Sequence, residues 1–106
     1  MPPEIRNLLQ AEADAAAEER FLPLAQGSGL LLEQIVSHGK ASPEGFWYDQ
    51  PRPEWVMLLR GTARLQFADG ERPLAAGDAL LIPAHCRHRV AECSLDAIWL
   101  ALHFQP

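Results

Sequence analysis

Beyond the first twenty residues, apolar positions fall into short runs separated by Gly, Pro and Asp. That pattern predicts strands and turns rather than helices. Leu30 to Ser37 reads as a strand following the turn Gln26-Gly27-Ser28-Gly29. His38 to Gly45 is loop, and its His-Gly start predicts a surface position for His38. Phe46-Trp47-Tyr48-Asp49 reads as a short aromatic strand, broken by Gln50-Pro51-Arg52-Pro53 because proline cannot donate to a ladder. Glu54 to Arg60 and Thr62 to Ala68 read as strands joined at Gly61, and Asp69-Gly70 signals a hairpin. Ala79 to Ile82, Arg87 to Glu92 and Asp96 to Phe104 complete an all-β set, a sandwich or barrel.

Two of these strands do not alternate. Trp55-Val56-Met57-Leu58-Leu59 and Ala97-Ile98-Trp99-Leu100-Ala101-Leu102 are apolar on both faces. A strand with one wet face should alternate, so both faces are predicted to be covered. In so short a chain a second copy is the expected cover, which predicts a homodimer. Residues 1–20 differ: Pro2-Pro3 can open a helix and Ala11 to Glu19 is rich in helix formers, yet the apolar stripe is only Ile5, Leu8 and Leu9. They predict a short helical or irregular arm ahead of one domain over residues 21–106.

Length and charge narrow the function. One core is what 106 residues support, and 48% apolar content predicts that it packs. A net charge of −5 with scattered Lys and Arg argues against a nucleic-acid partner. No apolar run is long enough to span a bilayer. The acidic N-terminus does not resemble a signal peptide, which predicts a cytoplasmic protein with Cys86 and Cys93 reduced.

Gly77-Asp78-Ala79-Leu80-Leu81-Ile82-Pro83-Ala84-His85-Cys86-Arg87-His88 places Gly77, Pro83 and His88 in the register of the second cupin motif. His85 stands at that motif's later Gly, and Glu92 at its Asn. Glu54 and Gly61 fit the Glu-six-residues-Gly ending of the first motif. The chain therefore resembles a small, bacterial-type, RmlC-like cupin. The resemblance implies a double-stranded β-helix (jelly-roll-like) barrel with a ligand pocket. It also implies metal ligands at Glu54 and His88. The His-x-His pair of the first motif is missing: its positions hold Trp47 and Asp49, or Tyr48 and Gln50, depending on the gap.

Glu54 shares a strand face with Val56 and Leu58. If that face points inward, the carboxylate needs a metal, a positive partner or a proton, since burying it unpaired costs several kcal/mol. A divalent ion (Zn, Fe, Mn or Ni) takes three or more N and O ligands. Glu54 and His88 supply two; Asp49 is the best third, with His103 and then His85 as further candidates. Trp47 or Tyr48, with Gln50, would contact a bound small molecule. Arg60, Arg64 and Arg89 are candidate anion-binding charges, and alternation puts Arg60 on the Glu54 face. Three functions fit: a metal-dependent site, a metal-free binding module, or a metal-free acid–base isomerase or epimerase using His88 and Glu54.

Overall fold

A computed structural model describes all 106 residues. It has eight strands and no helix: β1 Arg20–Gly27, β2 Leu30–Val36, β3 Glu54–Arg60, β4 Thr62–Phe67, β5 Gly70–Ala75, β6 Ala79–Ile82, β7 His88–Cys93 and β8 Ile98–Phe104. No helix is present that is long and apolar enough to cross a membrane. All strand pairings are antiparallel, in a five-stranded sheet ordered β1-β2-β8-β3-β6 and a three-stranded sheet ordered β5-β4-β7.

The core lies between the sheets. From β3 it takes Val56 and Leu58, from β4 Ala63 and Leu65, from β8 Trp99 and Ala101, and from β6 Ile82. Period-two alternation sends Glu54 inward with Val56 and Leu58, while Trp55, Met57 and Leu59 point outward and are half-buried. The β3–β4 connection requires glycine. Gly61 has φ of 87°, and a Cβ there would stand 2.2 Å from Ser94 Oγ.

Several predicted elements are corrected. Phe46–Asp49 is not a strand. Turns before it and the Pro51/Pro53 break after it leave one bridge, Tyr48 to His88, with amide-to-carbonyl bonds of 2.7 and 3.1 Å. Two strands, β1 and β5, were not marked by the apolar pattern; β5 (Gly70-Glu71-Arg72-Pro73-Leu74-Ala75) is mostly exposed and polar. His38 is buried, at 5% exposure, with a left-handed φ of 51° and no partner on either ring nitrogen. The left-handed turn folds its ring inward where the loop composition pointed to solvent.

Residues 1–19 take the irregular form of the expected arm. Three weakly spaced apolar residues give a helix nothing to pack with, and isolated short helices are marginal. The arm is instead held by its backbone carbonyls. Gln34 Nε2 donates to Leu8 O (2.7 Å), Lys40 Nζ to Ala15 O (2.7 Å), and the Arg60 guanidinium to Leu9 O and Ala11 O. It crosses the outer face of β2 and β8, where Val36 and its register partner Ile98 are buried outside the main core.

Candidate functional site

Four strands bring titratable side chains to one end of the barrel interior. β8 runs between β2 and β3, so His103 sits beside its register partner Glu54 and near Glu33. His103 Nε2 is 3.0 Å from Glu33 Oε1 and 3.9 Å from Glu54 Oε2. From the opposite sheet, His88 Nε2 faces Glu54 Oε1 at 3.6 Å. Glu54, His88 and His103 are each less than 10% exposed (7%, 6% and 8%). Glu54 is thus flanked by an imidazole on each oxygen.

His88 is fixed from behind: its Nδ1 donates to Cys86 O at 2.9 Å, turning Nε2 toward Glu54. Burial opposes a positive charge on this ring. Glu54 and the Cys86 carbonyl outweigh it, and the pKa of His88 rises above its ordinary value. Tyr48 stacks on His88, with ring centroids 5.3 Å apart and planes at 24°.

These groups line a cavity with Glu19, Glu33 and Gln50, floored by apolar residues including Ile35, Val56, Leu65, Ile82 and Trp99. The cavity has a volume of about 70 Å³. One water needs about 10–15 Å³ on that measure, so the cavity holds about five to seven waters or a small molecule of comparable bulk. Glu19 enters from the end of the arm and accepts a hydrogen bond from Ser37 Oγ (3.1 Å), which in turn accepts one from Trp99 Nε1 (3.0 Å). Burial pushes the Glu19 carboxyl above its ordinary pKa, and the Ser37 bond pulls the other way. The Tyr48 phenol is also raised, first by burial and then by the charges of Glu19, Glu54 and Glu33.

The Tyr48 bridge decides between the two possible gaps in the first motif. It turns Tyr48 and Gln50 into the cavity and Trp47 and Asp49 out of it. Asp49, the expected third ligand, is exposed and pairs with the still more exposed His85, Oδ1 to Nδ1 at 2.8 Å. Neither reaches the cavity lining. Trp47 lies outside too, under the Arg87 guanidinium at 5.2 Å. Of the expected metal and ligand contacts, the cavity therefore gathers Glu54, His88, His103, Tyr48 and Gln50.

The three arginines are corrected as well: none lines the cavity. A register shift between Leu58 and Arg60 swings Arg60 to the arm and Asp96 O. Arg64 pairs with Glu71 and Glu92. Arg89 bonds Gln66 and the carbonyls of Ser42, Pro43 and Phe46. Cys86 packs against the core, and Cys93 donates to Lys40 O at 3.3 Å with its pKa raised mainly by burial.

Glu19 and Glu33 were not marked by motif. Glu33 carried a signal nonetheless, a lone carboxylate in the run Leu30-Leu31-Leu32-Glu33, the same anomaly that singles out Glu54. Glu19 had none, since it sits in an Ala/Glu-rich segment that resembles a solvated one. For a divalent ion the donor types are suitable: two imidazoles and two carboxylates. No three of them yet enclose a common point at ligand distance, and His103 is held by Glu33.

Two antiparallel sheets packed face to face, with polar groups gathered at one end of the interior, define a double-stranded β-helix pocket protein. The chain belongs to the cupin domain family, whose model matches residues 32–103. It is similar to the crystal structure of a Ralstonia eutropha JMP134 protein provisionally named a mannose-6-phosphate isomerase. The identity is 42% over 98% of this chain and 100% of that one, with a TM-score of 0.91. It shares the fold of a cupin superfamily protein from Desulfitobacterium hafniense DCB-2 (20% identity, 98% and 94% coverage, TM-score 0.77). The same holds for an RmlC-like cupin from Desulfovibrio desulfuricans (17% identity, 97% of each chain, TM-score 0.75). No curated protein matches the chain.

Proposed function

We propose that this cupin binds a small molecule in the barrel, on a polar anchor of Glu54 flanked by His88 and His103, and that a divalent ion occupies the anchor. One observation carries the reading. Both Glu54 oxygens face an imidazole Nε2, at 3.6 and 3.9 Å, too far for hydrogen bonds. Two ligands of one ion at about 2.1 Å each stand about 3–4 Å apart. His88 is already oriented by its Nδ1 bond to Cys86 O, the support that ligating histidines use. Glu33 would complete the set on release of His103. A bound ion would supply Lewis acidity toward a ligand oxygen. The chain's own residues would orient that ligand: Tyr48 by stacking, Gln50 by hydrogen bonding, and the apolar floor by excluding water.

A second reading rests on the raised pKa of His88, which suits a proton donor paired with Glu54. It makes the barrel a metal-free acid–base isomerase or epimerase, and the provisional isomerase name of the Ralstonia protein favours it.

Elemental analysis of tag-free protein separates the two. Near-stoichiometric metal in the wild type is expected, falling at least tenfold in folded Glu54→Gln and His88→Ala. Absence of metal after incubation with Zn, Fe, Mn and Ni salts would overturn the metal reading and leave the acid–base one.

A further inference from the structure

The cavity is lined by hydrogen-bond acceptors and has no fixed cation. Three carboxylates, Glu19, Glu33 and Glu54, face it, against two histidines and no lysine or arginine. Carboxylates outnumber imidazoles three to two, so the lining offers an anion no fixed positive charge. The barrel's arginines are committed elsewhere: Arg60 to the arm, Arg64 to Glu71 and Glu92, Arg89 to loop carbonyls. A second, independent feature points the same way. Gln50 Oε1 is buried and has no hydrogen-bond partner, although Gln50 lines the cavity. A buried acceptor without a donor costs free energy, and a turn of the Gln50 side chain toward the cavity lets a ligand hydroxyl supply one.

Phosphate and carboxylate recognition needs the opposite lining, with backbone amides, lysine or a bidentate arginine turned to the ligand. We infer that the pocket selects an uncharged, hydroxyl-rich molecule of about three or four carbons, whose hydroxyls donate to Glu19, Glu33 and Gln50 Oε1, and that it rejects the phosphorylated form of the same molecule. The size follows from the cavity of about 70 Å³. This rests on reading the cavity as a ligand site, but not on whether a metal is bound. It sets the chain apart from what a phosphosugar enzyme would require, despite the provisional name carried by the Ralstonia protein.

Erythritol and erythritol 4-phosphate are the matched probes. Each is titrated into the protein as purified and again after chelator treatment, reading the imidazole NMR resonances of His88 and His103. Erythritol should shift both saturably, and the phosphate ester should bind at least tenfold more weakly in both preparations. The Glu19→Gln and Glu33→Gln variants, singly, should narrow that gap by strengthening the phosphate ester. A phosphate ester that binds as tightly as erythritol, or tighter, overturns the inference and leaves the pocket reading standing. Failure of both compounds to move the resonances overturns the pocket reading and the inference with it.

Discussion

Glu19 reaches the cavity from a segment with no regular structure, and burial there raises its pKa above the ordinary glutamate value. A carboxyl with a raised folded-state pKa holds its proton more tightly in the folded protein than in the unfolded chain. Its contribution to stability is therefore fully present below the unfolded pKa and is lost as pH rises through the folded value. Above that window the ionised carboxylate works against folding. Glu19→Gln keeps the Ser37 contact and removes the charge. We expect the variant to be more stable than the wild type at pH 7, and the two stabilities to converge as pH falls toward 4. Urea denaturation at a series of pH values measures this; a constant difference across the series would refute it. Such residues also show where sequence reading stops. Glu54 and His88 were legible because motif register marks both, and a carboxylate on an apolar strand face marks Glu54 a second time. Asp49 and His85 carry equally suitable donor atoms; the Tyr48 bridge turns Asp49 out of the cavity, and His85 sits in a left-handed loop position paired with it. Nothing in one-dimensional spacing fixes that direction when a stretch is a single bridge rather than a strand.

At the scale of elements, β2, β3, β7 and β8 carry the site. Period-two geometry put Glu54 on the face of Val56 and Leu58, although β3 and β8 are apolar on both faces. The arm was not readable in the same way. Its attachment depends on its own carbonyls and on side chains far along the chain: Gln34, Lys40 and Arg60. Composition cannot disclose such contacts, because every residue has a carbonyl. Arg60 is the central clamp, reaching Leu9 O, Ala11 O and Asp96 O. Hydrogen bonds from a charged group contribute about 1.5–3 kcal/mol where they are well formed. Arg60→Ala should therefore lower global stability by about 1–3 kcal/mol. It should also raise amide exchange across residues 5–15 well before the barrel strands respond. Exchange in the arm that matches the wild type would show that the clamp is not what holds it. Freeing the arm also loosens Glu19, so the erythritol affinity of the same variant should fall.

The whole molecule leaves one broad surface without a polar coat. On the outer face of the five-stranded sheet, Trp55, Met57 and Leu59 of β3 lie beside Leu100 and Leu102 of β8, with Leu81 of β6 opposite Trp55. Leu81 is 56% exposed, and none of these residues is charged. The arm covers only the adjoining part of this face, over Val36 and Ile98. A contiguous apolar patch rich in Trp, Met and Leu and free of charge has the composition of an interface centre. A second copy is the occupant that the sequence of β3 and β8 calls for. A two-fold contact sets the same face against itself, so a surface with no charge to repel its own image meets no penalty there. Light scattering at micromolar concentration should then give twice the 11.8 kDa chain mass. Met57→Lys places a charge at the centre of the patch while leaving the inward-facing Glu54, Val56 and Leu58 untouched. It should yield a folded monomer that still binds erythritol, because the pocket opens inside the barrel and not across the interface. A wild-type monomer would remove the second copy as the cover for this face. A Met57→Lys dimer would move the contact to another surface.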